Sequence, residues 1–145
     1  MGFSLAAAFT IIGVTIFISF EIFTGSLIPT FTNVDDSYKK MVDRTIDQIQ
    51  SDINITYLNY SILAGGSHAI YFWVRNTGSV NLNTSDFTIM VNGKAYPFTS
   101  YDPNIYPEKN TSFYVTGLPG IAAGARILKV TTGNGISDYY TYYII

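Results

Sequence analysis

The only histidine of the chain, His68, is the one side chain that could serve as a general base near neutral pH. It lies beside Gly65-Gly66, at the predicted start of a strand. A catalytic base would also need a carboxylate that orients its ring. The surrounding turn sequence favours an incidental loop histidine over such a pair.

The remaining polar residues do not form a metal or cofactor motif. Asp35-Asp36 could contact a cation, but two acids at a predicted helix start are more simply capping residues. Cysteine is absent, which excludes thiolate metal sites, a thiol nucleophile and disulfides. No spacing matches a zinc, calcium or phosphate-loop site, and the glycine pairs lie in predicted hairpins. The sequence therefore predicts a non-enzyme with no catalytic, cofactor or metal site.

The charge distribution argues against nucleic-acid binding. The net charge is −2, and the eight Lys and Arg residues are scattered, with Lys39-Lys40 as the longest basic run. A nucleic-acid surface needs a concentrated basic patch. We therefore expect no nucleic-acid partner.

Four Asn-x-Ser/Thr sequons suggest a surface that is exported and open to N-glycosylation. The candidate acceptor residues are Asn54, Asn59, Asn83 and Asn110.

The first stretch, "MGFSLAAAFTIIGVTIFISF", carries no charge. Twenty residues in a helix span about 30 Å, the thickness of the hydrocarbon core of a bilayer. A cleaved secretory signal would begin with basic residues and have a shorter apolar region. The basic residues and Gly that precede the cleavage point of a pilin leader are also missing. We therefore predict an uncleaved single-pass membrane helix over residues 1–28.

Glu21 interrupts this apolar run. It predicts either a carboxylate at headgroup level or one that pairs with a partner helix inside the membrane. Orientation stays open at this stage. Lys39, Lys40 and Arg44 follow the span and favour a cytoplasmic C-terminal domain, whereas the sequons favour an outside location.

Gly25 and Pro29 are predicted to end the span. A short connector helix is then predicted within residues 29–52, because apolar residues recur there at three- and four-residue steps. This apolar stripe consists of Val34, Tyr38, Met41, Val42, Thr45 and Ile49. It could pack on the following domain or on a second copy as a short coiled coil.

From residue 53 to 145 the pattern changes to alternation, with about seven strands separated by turn residues. The Asn92-Gly93 pair predicts a two-residue hairpin. We predict an all-β, immunoglobulin-like antiparallel β-sandwich, preceded by the N-terminal transmembrane helix and the connector helix. In the first strand Ile53, Ile55 and Tyr57 are expected to share one face. The predicted core residues are Trp73, Ile89, Phe113, Leu128 and Val130.

The order of several segments resembles one known family. "MGFSLAAAFTIIGVTIFISF", "DDSYKKMVDR", "SDINIT" and "FWVRNTGSVNLNTSDFTIMVNGK" follow one another as in the accessory protein F family of the archaellum, the archaeal flagellum. This resemblance covers residues 1–94 well and the remainder only in architecture. It includes the Asn76-Thr77-Gly78 turn.

The resemblance implies a stator of the archaellum motor, with its helix in the cytoplasmic membrane and its β domain in the pseudoperiplasm below the surface layer. It implies the surface-layer protein and a companion archaellum membrane protein as partners, with a homodimer as the assembly.

Binding such partners would need exposed aromatic side chains, and alternating Tyr on an edge strand can pair with a partner's strand. For the C-terminal Tyr run, one buried and one solvated face is an equal alternative. The candidate interaction residues are Tyr101, Tyr106, Tyr139, Tyr140, Tyr142 and Tyr143.

Two other functions fit an apolar helix joined to a β domain. A filament subunit, an archaellin or pilin, would be processed near its N-terminus and assemble in many copies. A membrane-anchored surface adhesion module would bind glycans through an aromatic platform.

Overall fold

A computed structural model describes residues 2–145, so the predicted start of the span at Met1 lies outside the described residues. The chain divides into two compact units, residues up to Asp43 and Arg44–Ile145, which we describe separately.

Residues 2–50 are helical without interruption. Helix α1 covers Gly2–Ile22, a π-helical turn covers Phe23–Leu27, and helix α2 covers Ile28–Gln50. The helix therefore continues through Gly25 and Pro29, and the end of the membrane span at these residues stays a prediction. A proline ring clashes with the carbonyl four residues earlier, here that of Gly25, and proline donates no backbone hydrogen bond. The amide of Ile28 bonds instead to the carbonyl of Phe23, five residues back, and this wider turn accommodates the proline.

The polar side chains of the apolar helix are bonded within it. The hydroxyl groups of Thr10, Thr15 and Ser19 donate to the carbonyl oxygens four residues earlier, at 2.7–2.9 Å. Thr24 and Thr30 make the same contact near the π-helical turn. Because lipid supplies no hydrogen-bonding partner, such internal bonding suits a helix inside a membrane.

The apolar stripe of α2 is exposed. None of the α2 side chains is buried, and Val34, Tyr38 and Ile49 are more than half exposed. Packing of this stripe on the following domain or on a second copy stays a prediction.

The β domain begins two residues after α2, and all its strand pairs are antiparallel. Its strands are β1 Ile53–Leu63, β2 Ser67–Asn76, β3 Leu82–Asn83, β4 Thr88–Val91, β5 Lys94–Ala95, β6 Thr99–Ser100, β7 Asn104–Ile105, β8 Asn110–Pro119, β9 Gly124–Thr131 and β10 Ser137–Ile144.

They form two four-stranded sheets, β1-β2-β8-β6 and β10-β9-β4-β5, and a small β3-β7 pair. The described part of the chain has ten strands, whereas the sequence predicts about seven. Four of the ten have only two residues, which is too short to give an alternating pattern. The two-residue hairpin at Asn92-Gly93 is confirmed, because Val91 pairs with Lys94 and both turn residues have positive φ.

Both sheets contribute to one hydrophobic core. The ring of Phe113 stacks on Phe72 and on Phe87, each with 5.5 Å between ring centroids. The predictions of Ile89, Phe113, Leu128 and Val130 as core residues are confirmed.

The prediction that Trp73 is a core residue is wrong. It lies on the opposite face of β2 from Phe72 and is half-buried, with its ring edge-to-face against Tyr71.

A β-bulge in β1 changes which side chains face the core. Ile55 pairs with Val74 and Tyr57 pairs with Trp73, so the intervening residue has no partner. Such an extra residue reverses the alternation beyond it. Tyr57 is therefore exposed, contrary to the predicted face of Ile53 and Ile55, and Leu58 packs against the core instead.

The turn Asn76-Thr77-Gly78 joins the end of α2 to the β domain. The amides of Thr77 and Gly78 both donate to the carbonyl of Asp52, at 3.0 and 3.1 Å, and the amide of Ser79 donates to that of Gln50. A Cβ on Gly78 would lie only 2.4 Å from the Gln50 carbonyl oxygen. Only glycine lets the two backbones approach this closely.

The buried side chain of Asn76 fixes the shape of this turn. Its Nδ2 donates to the carbonyls of Val80 and Ile105, at 2.7 and 2.9 Å, and its Oδ1 accepts from the amide of Gly78 at 3.0 Å. The buried amide of Asn76 thus ties the turn to the loop that follows it and to β7. We call the contact of this turn with residues 50–52 the junction clasp.

Replacing Gly78 by alanine should destabilise the β domain. The added Cβ would force the turn away from Gln50 and break the backbone bonds to Asp52, at a cost of about 3 kcal/mol in the free energy of unfolding. Urea unfolding of the full chain in detergent, followed by the fluorescence of the single Trp73, measures this. Gly65→Ala is the control, because Gly65 has φ +81° but no neighbouring atom within 4 Å. Equal losses in both variants would contradict the clasp.

Candidate interaction sites of the β domain

The structure separates the predicted interaction tyrosines into two sets. Tyr101 and Tyr106 are exposed near the short strands β6 and β7, and Tyr139 and Tyr143 are exposed on β10. The other two, Tyr140 and Tyr142, face the core. The run on β10 thus has one buried and one solvated face. A partner contact stays a prediction for the four exposed residues.

The other predicted site residues are exposed. All four sequon asparagines are accessible, although the Oδ1 of Asn83 already accepts bonds from the amide and hydroxyl of Ser85. Glu21 is exposed in the last turn of α1. Glycosylation and a membrane role for Glu21 stay predictions.

Sequence reasoning missed a group of aromatic side chains on the solvent side of the β1-β2-β8-β6 sheet. Tyr57, Tyr71, Trp73 and Tyr114 lie there, and we call them the outer aromatic face. Tyr57 is opposite Trp73 in the register, and Tyr71 is opposite Tyr114. The segment "HAIYFWVRN" reads as a continuous apolar run. The signal that could have revealed the face is the alternation of Tyr71 and Trp73 with the buried Phe72.

Two shallow depressions of about 300 and 340 Å³ share Tyr71 and Tyr114. Tyrosine, Phe113, serine, threonine and Asn59 line them, and no charged side chain does. A neutral surface of aromatic rings with hydroxyl and amide groups is typical of protein interfaces, where charges are depleted at the centre.

His68 is buried, contrary to the predicted loop position. Its Nε2 lies 2.9 Å from the hydroxyl of Tyr142, and its Nδ1 has no hydrogen-bond partner within the described part of the chain. Burial lowers the pKa of His68 below its usual value of 6.5, and the positive charge of Arg126 lowers it further. Burial also raises the pKa of Tyr142 to about 12. Both side chains are therefore neutral at pH 7.

His68 also borders a depression of about 250 Å³ at the end of the β domain that is farthest from Gln50. Its other lining residues come from the β4-β5 hairpin, from the end of β8 and from the start of β9. Lys94 and Arg126 are the charged members of this lining. We call this depression the distal pocket.

Groups of three or more His, Cys, Asp or Glu side chains that could hold a metal ion do not occur among the described residues. The distal pocket, in particular, has basic and neutral lining residues only. Its chemistry suits the binding of an anion.

The chain matches known proteins at the level of family and of fold. A family model described as archaeal-type flagellin matches residues 6–143. The structure is similar to the archaellum periplasmic stator protein FlaG from Sulfolobus acidocaldarius, with a TM-score of 0.51 and 12% identity over 63% of this chain and 99% of that chain. The FlaF and FlaG stator complex of the same organism gives a TM-score of 0.48 at 12% identity, over 62% and 87% of the two chains. No curated protein matches the sequence.

The buried His68 should make the stability of the β domain depend on pH. Because its pKa is lower when folded, the unfolded state takes up a proton first as the pH falls through 6.5, and the free energy of unfolding decreases. His68→Gln keeps a partner for Tyr142 and should have a flatter profile. Urea unfolding between pH 7.5 and 5.5 measures both proteins, and parallel profiles would contradict the assignment.

Proposed function

Since the chain belongs to the archaeal-type flagellin family, we propose that it is a membrane-anchored, non-enzymatic stator component of the archaellum motor. The observation that carries this proposal is the fold shared with the periplasmic stator protein FlaG across almost all of that protein. The identity of 12% shows the fold alone, so the function needs its own test.

The proposed anchor is the N-terminal helix. Ser4–Gln50 is the one helix in the described residues that is long and apolar enough to cross a membrane. In this proposal residues 1–28 lie in the cytoplasmic membrane, residues 29–52 form a connector, and residues 53–145 lie on the pseudoperiplasmic side. The sequons support this orientation, because they lie only in the last segment.

A stator has to pass force between its anchor and its head without giving way. The junction clasp supports this role, because the backbone amides of residues 77–79 bond to the carbonyls of Gln50 and Asp52. A flexible glycine- or serine-rich linker at this position would not transmit torque. In the chain only Ser51 and Asp52 separate α2 from β1, and Ser51 is buried.

The head is proposed to bind the surface-layer protein through the outer aromatic face. Its four aromatic side chains and uncharged depressions support a protein contact. A companion archaellum membrane protein is the proposed second partner, and the exposed stripe of α2 is the proposed homodimer contact. We also assign the two sheets to the immunoglobulin-like class, which is supported by their shared core.

A filament subunit is the second candidate function. The family match favours it, because it covers the N-terminal helix as well as the β domain. The apolar window of the helix Ser4–Gln50 has no buried residue. Such a helix would suit packing against other copies in a filament.

The stator proposal predicts capture of surface-layer protein. Full-length protein in nanodiscs should retain surface-layer protein isolated from the same cells. The double variant Tyr71→Ser/Tyr114→Ser should bind at least about tenfold more weakly, because buried aromatic anchors dominate such contacts. Dissociation constants from biolayer interferometry measure this.

The matched control is Tyr139→Ser/Tyr143→Ser, which removes two exposed tyrosines from β10. It should bind like the wild type. A loss confined to this control would move the contact to β10, and no retention by any form would refute binding to the surface layer.

The two candidate functions also differ in the mature protein. A stator should remain in the membrane fraction with an intact N-terminus at Met1 or Gly2. Mass spectrometry of the N-terminal peptide from membranes and from sheared filaments measures this. A shortened chain that is abundant in filaments would establish the filament subunit instead.

A further inference from the structure

The distal pocket contains positive charge without a negative partner. Arg126 is half-buried, and its guanidinium donates only to the backbone carbonyls of Ala125 and Ala122, at 3.2 and 3.3 Å. Lys94 lies over the ring of Tyr96, with 5.5 Å from its Nζ to the ring centroid. The ion pairs found in residues 4–145 involve neither of them. Among the described residues, the guanidinium therefore has no acidic partner for the bidentate contact that arginine makes with a carboxylate or phosphate.

The fold holds Arg126 in place over the turn between β8 and β9. Its guanidinium lies beside Gly120 and Gly124, since a Cβ built at either glycine would be in van der Waals contact with a guanidinium nitrogen at 3.6 Å. Burial lowers the pKa of His68 and the positive charge of Arg126 lowers it further, whereas at Tyr142 the same charge opposes the rise in pKa that burial causes. A guanidinium fixed in this way loses little freedom when it binds an anion.

The rest of the lining selects the kind of anion. Pro119 supplies exposed apolar surface, and Tyr96 and Asn92 carry a hydroxyl and an amide group. The Oδ1 of Asn92 accepts a hydrogen bond from the amide of Ile127. This bond does not use the Nδ2 of Asn92, which can donate to a ligand. An inorganic ion would leave the apolar surface of Pro119 and these groups unused.

The size of the pocket sets the size of the ligand. Its volume of about 250 Å³ lies just below the range of about 300–1,000 Å³ that is typical of small-molecule pockets. This suits one ring-sized ligand with a charged group at one side. The location is also accessible, because Lys94 and Pro119 are exposed.

We propose that the distal pocket binds a sugar acid, meaning a carboxylate on a hydroxylated ring of monosaccharide size. The carboxylate pairs with Arg126 and Lys94, and the ring rests against Pro119 while its hydroxyl groups bond to Asn92 and Tyr96. The same chemistry occurs in a free sugar acid and in an acidic residue of a glycan. This inference does not depend on the stator function.

Calorimetric titration of the full-length protein tests the proposal, in a detergent without sugar headgroups and at low salt. Methyl glucuronoside represents the glycan-linked acid and free glucuronate the unlinked one. At least one should bind with a dissociation constant of about 1 mM or lower. Methyl glucoside, which lacks the carboxylate, should bind at least about tenfold more weakly. A preference for the methyl glycoside would identify the glycan-linked source, and a preference for glucuronate the free one.

Variants assign the binding to the pocket. Lys94→Glu and Arg126→Gln should each weaken binding about tenfold or more. Lys129→Gln is the matched control, because Lys129 lies over Tyr139 at 5.4 Å in the same cation–π geometry. It should leave binding unchanged. Near-ultraviolet circular dichroism checks folding, and Lys94→Glu keeps the test valid if Arg126→Gln unfolds, since Lys94 is exposed.

Four results would overturn the proposal. Three are equal binding of methyl glucoside, tighter binding of inorganic phosphate or of an acidic peptide, and equal weakening by Lys129→Gln. The fourth is the absence of any sugar-acid binding. If the wild type still captured surface-layer protein in that case, only the pocket assignment would fail and the stator proposal would stand.

Discussion

The close backbone contact between Gly78 and residues 50–52 is the constraint on which the rest of the structure depends. It ties residues 50–52, at the end of α2, to a β domain with a dense aromatic core. Each unit is stabilised by different physics. Internal hydrogen bonds satisfy the polar groups of the apolar helix, whereas apolar burial stabilises the domain. Within Arg44–Ile145, the junction clasp holds residues 50–52 against the β domain through backbone hydrogen bonds.

The two ends of the β domain differ in how completely their polar groups are satisfied. At the end near Gln50, Asn76 uses both polar atoms of its amide, and Asn134 donates to the buried Ser51 at 2.7 Å. At the other end His68 has an unpaired ring nitrogen and Arg126 has no acidic partner among the described residues. Strands of eight to ten residues separate these ends by roughly 30 Å. The closed end serves stability, and the open end is available for ligands.

The sheet edges explain why partner contacts are better sought on a face than on an edge. Asp138 accepts a bond from the amide of Ile55 at 2.7 Å, and Tyr60 accepts one from the amide of Ile145 at 3.0 Å. These bonds join β1 to β10 and cover edge groups that would otherwise pair with another chain. The exposed aromatic rings of the β1-β2-β8-β6 sheet have no such cover.

The sequence by itself determined the features that depend on neighbouring residues. The uncharged helix, the Asn92-Gly93 hairpin and the core positions Ile89 and Phe113 follow from local composition, turn geometry and alternation. Tertiary structure alone decided the outward position of Tyr57, the half-buried Trp73 and the buried His68. A single β-bulge, such as the one before Tyr57, moves the side chains beyond it to the other face of the sheet without changing the local sequence pattern. The distal pocket was equally invisible, because Lys94 and Arg126 meet only through the pairing of distant strands.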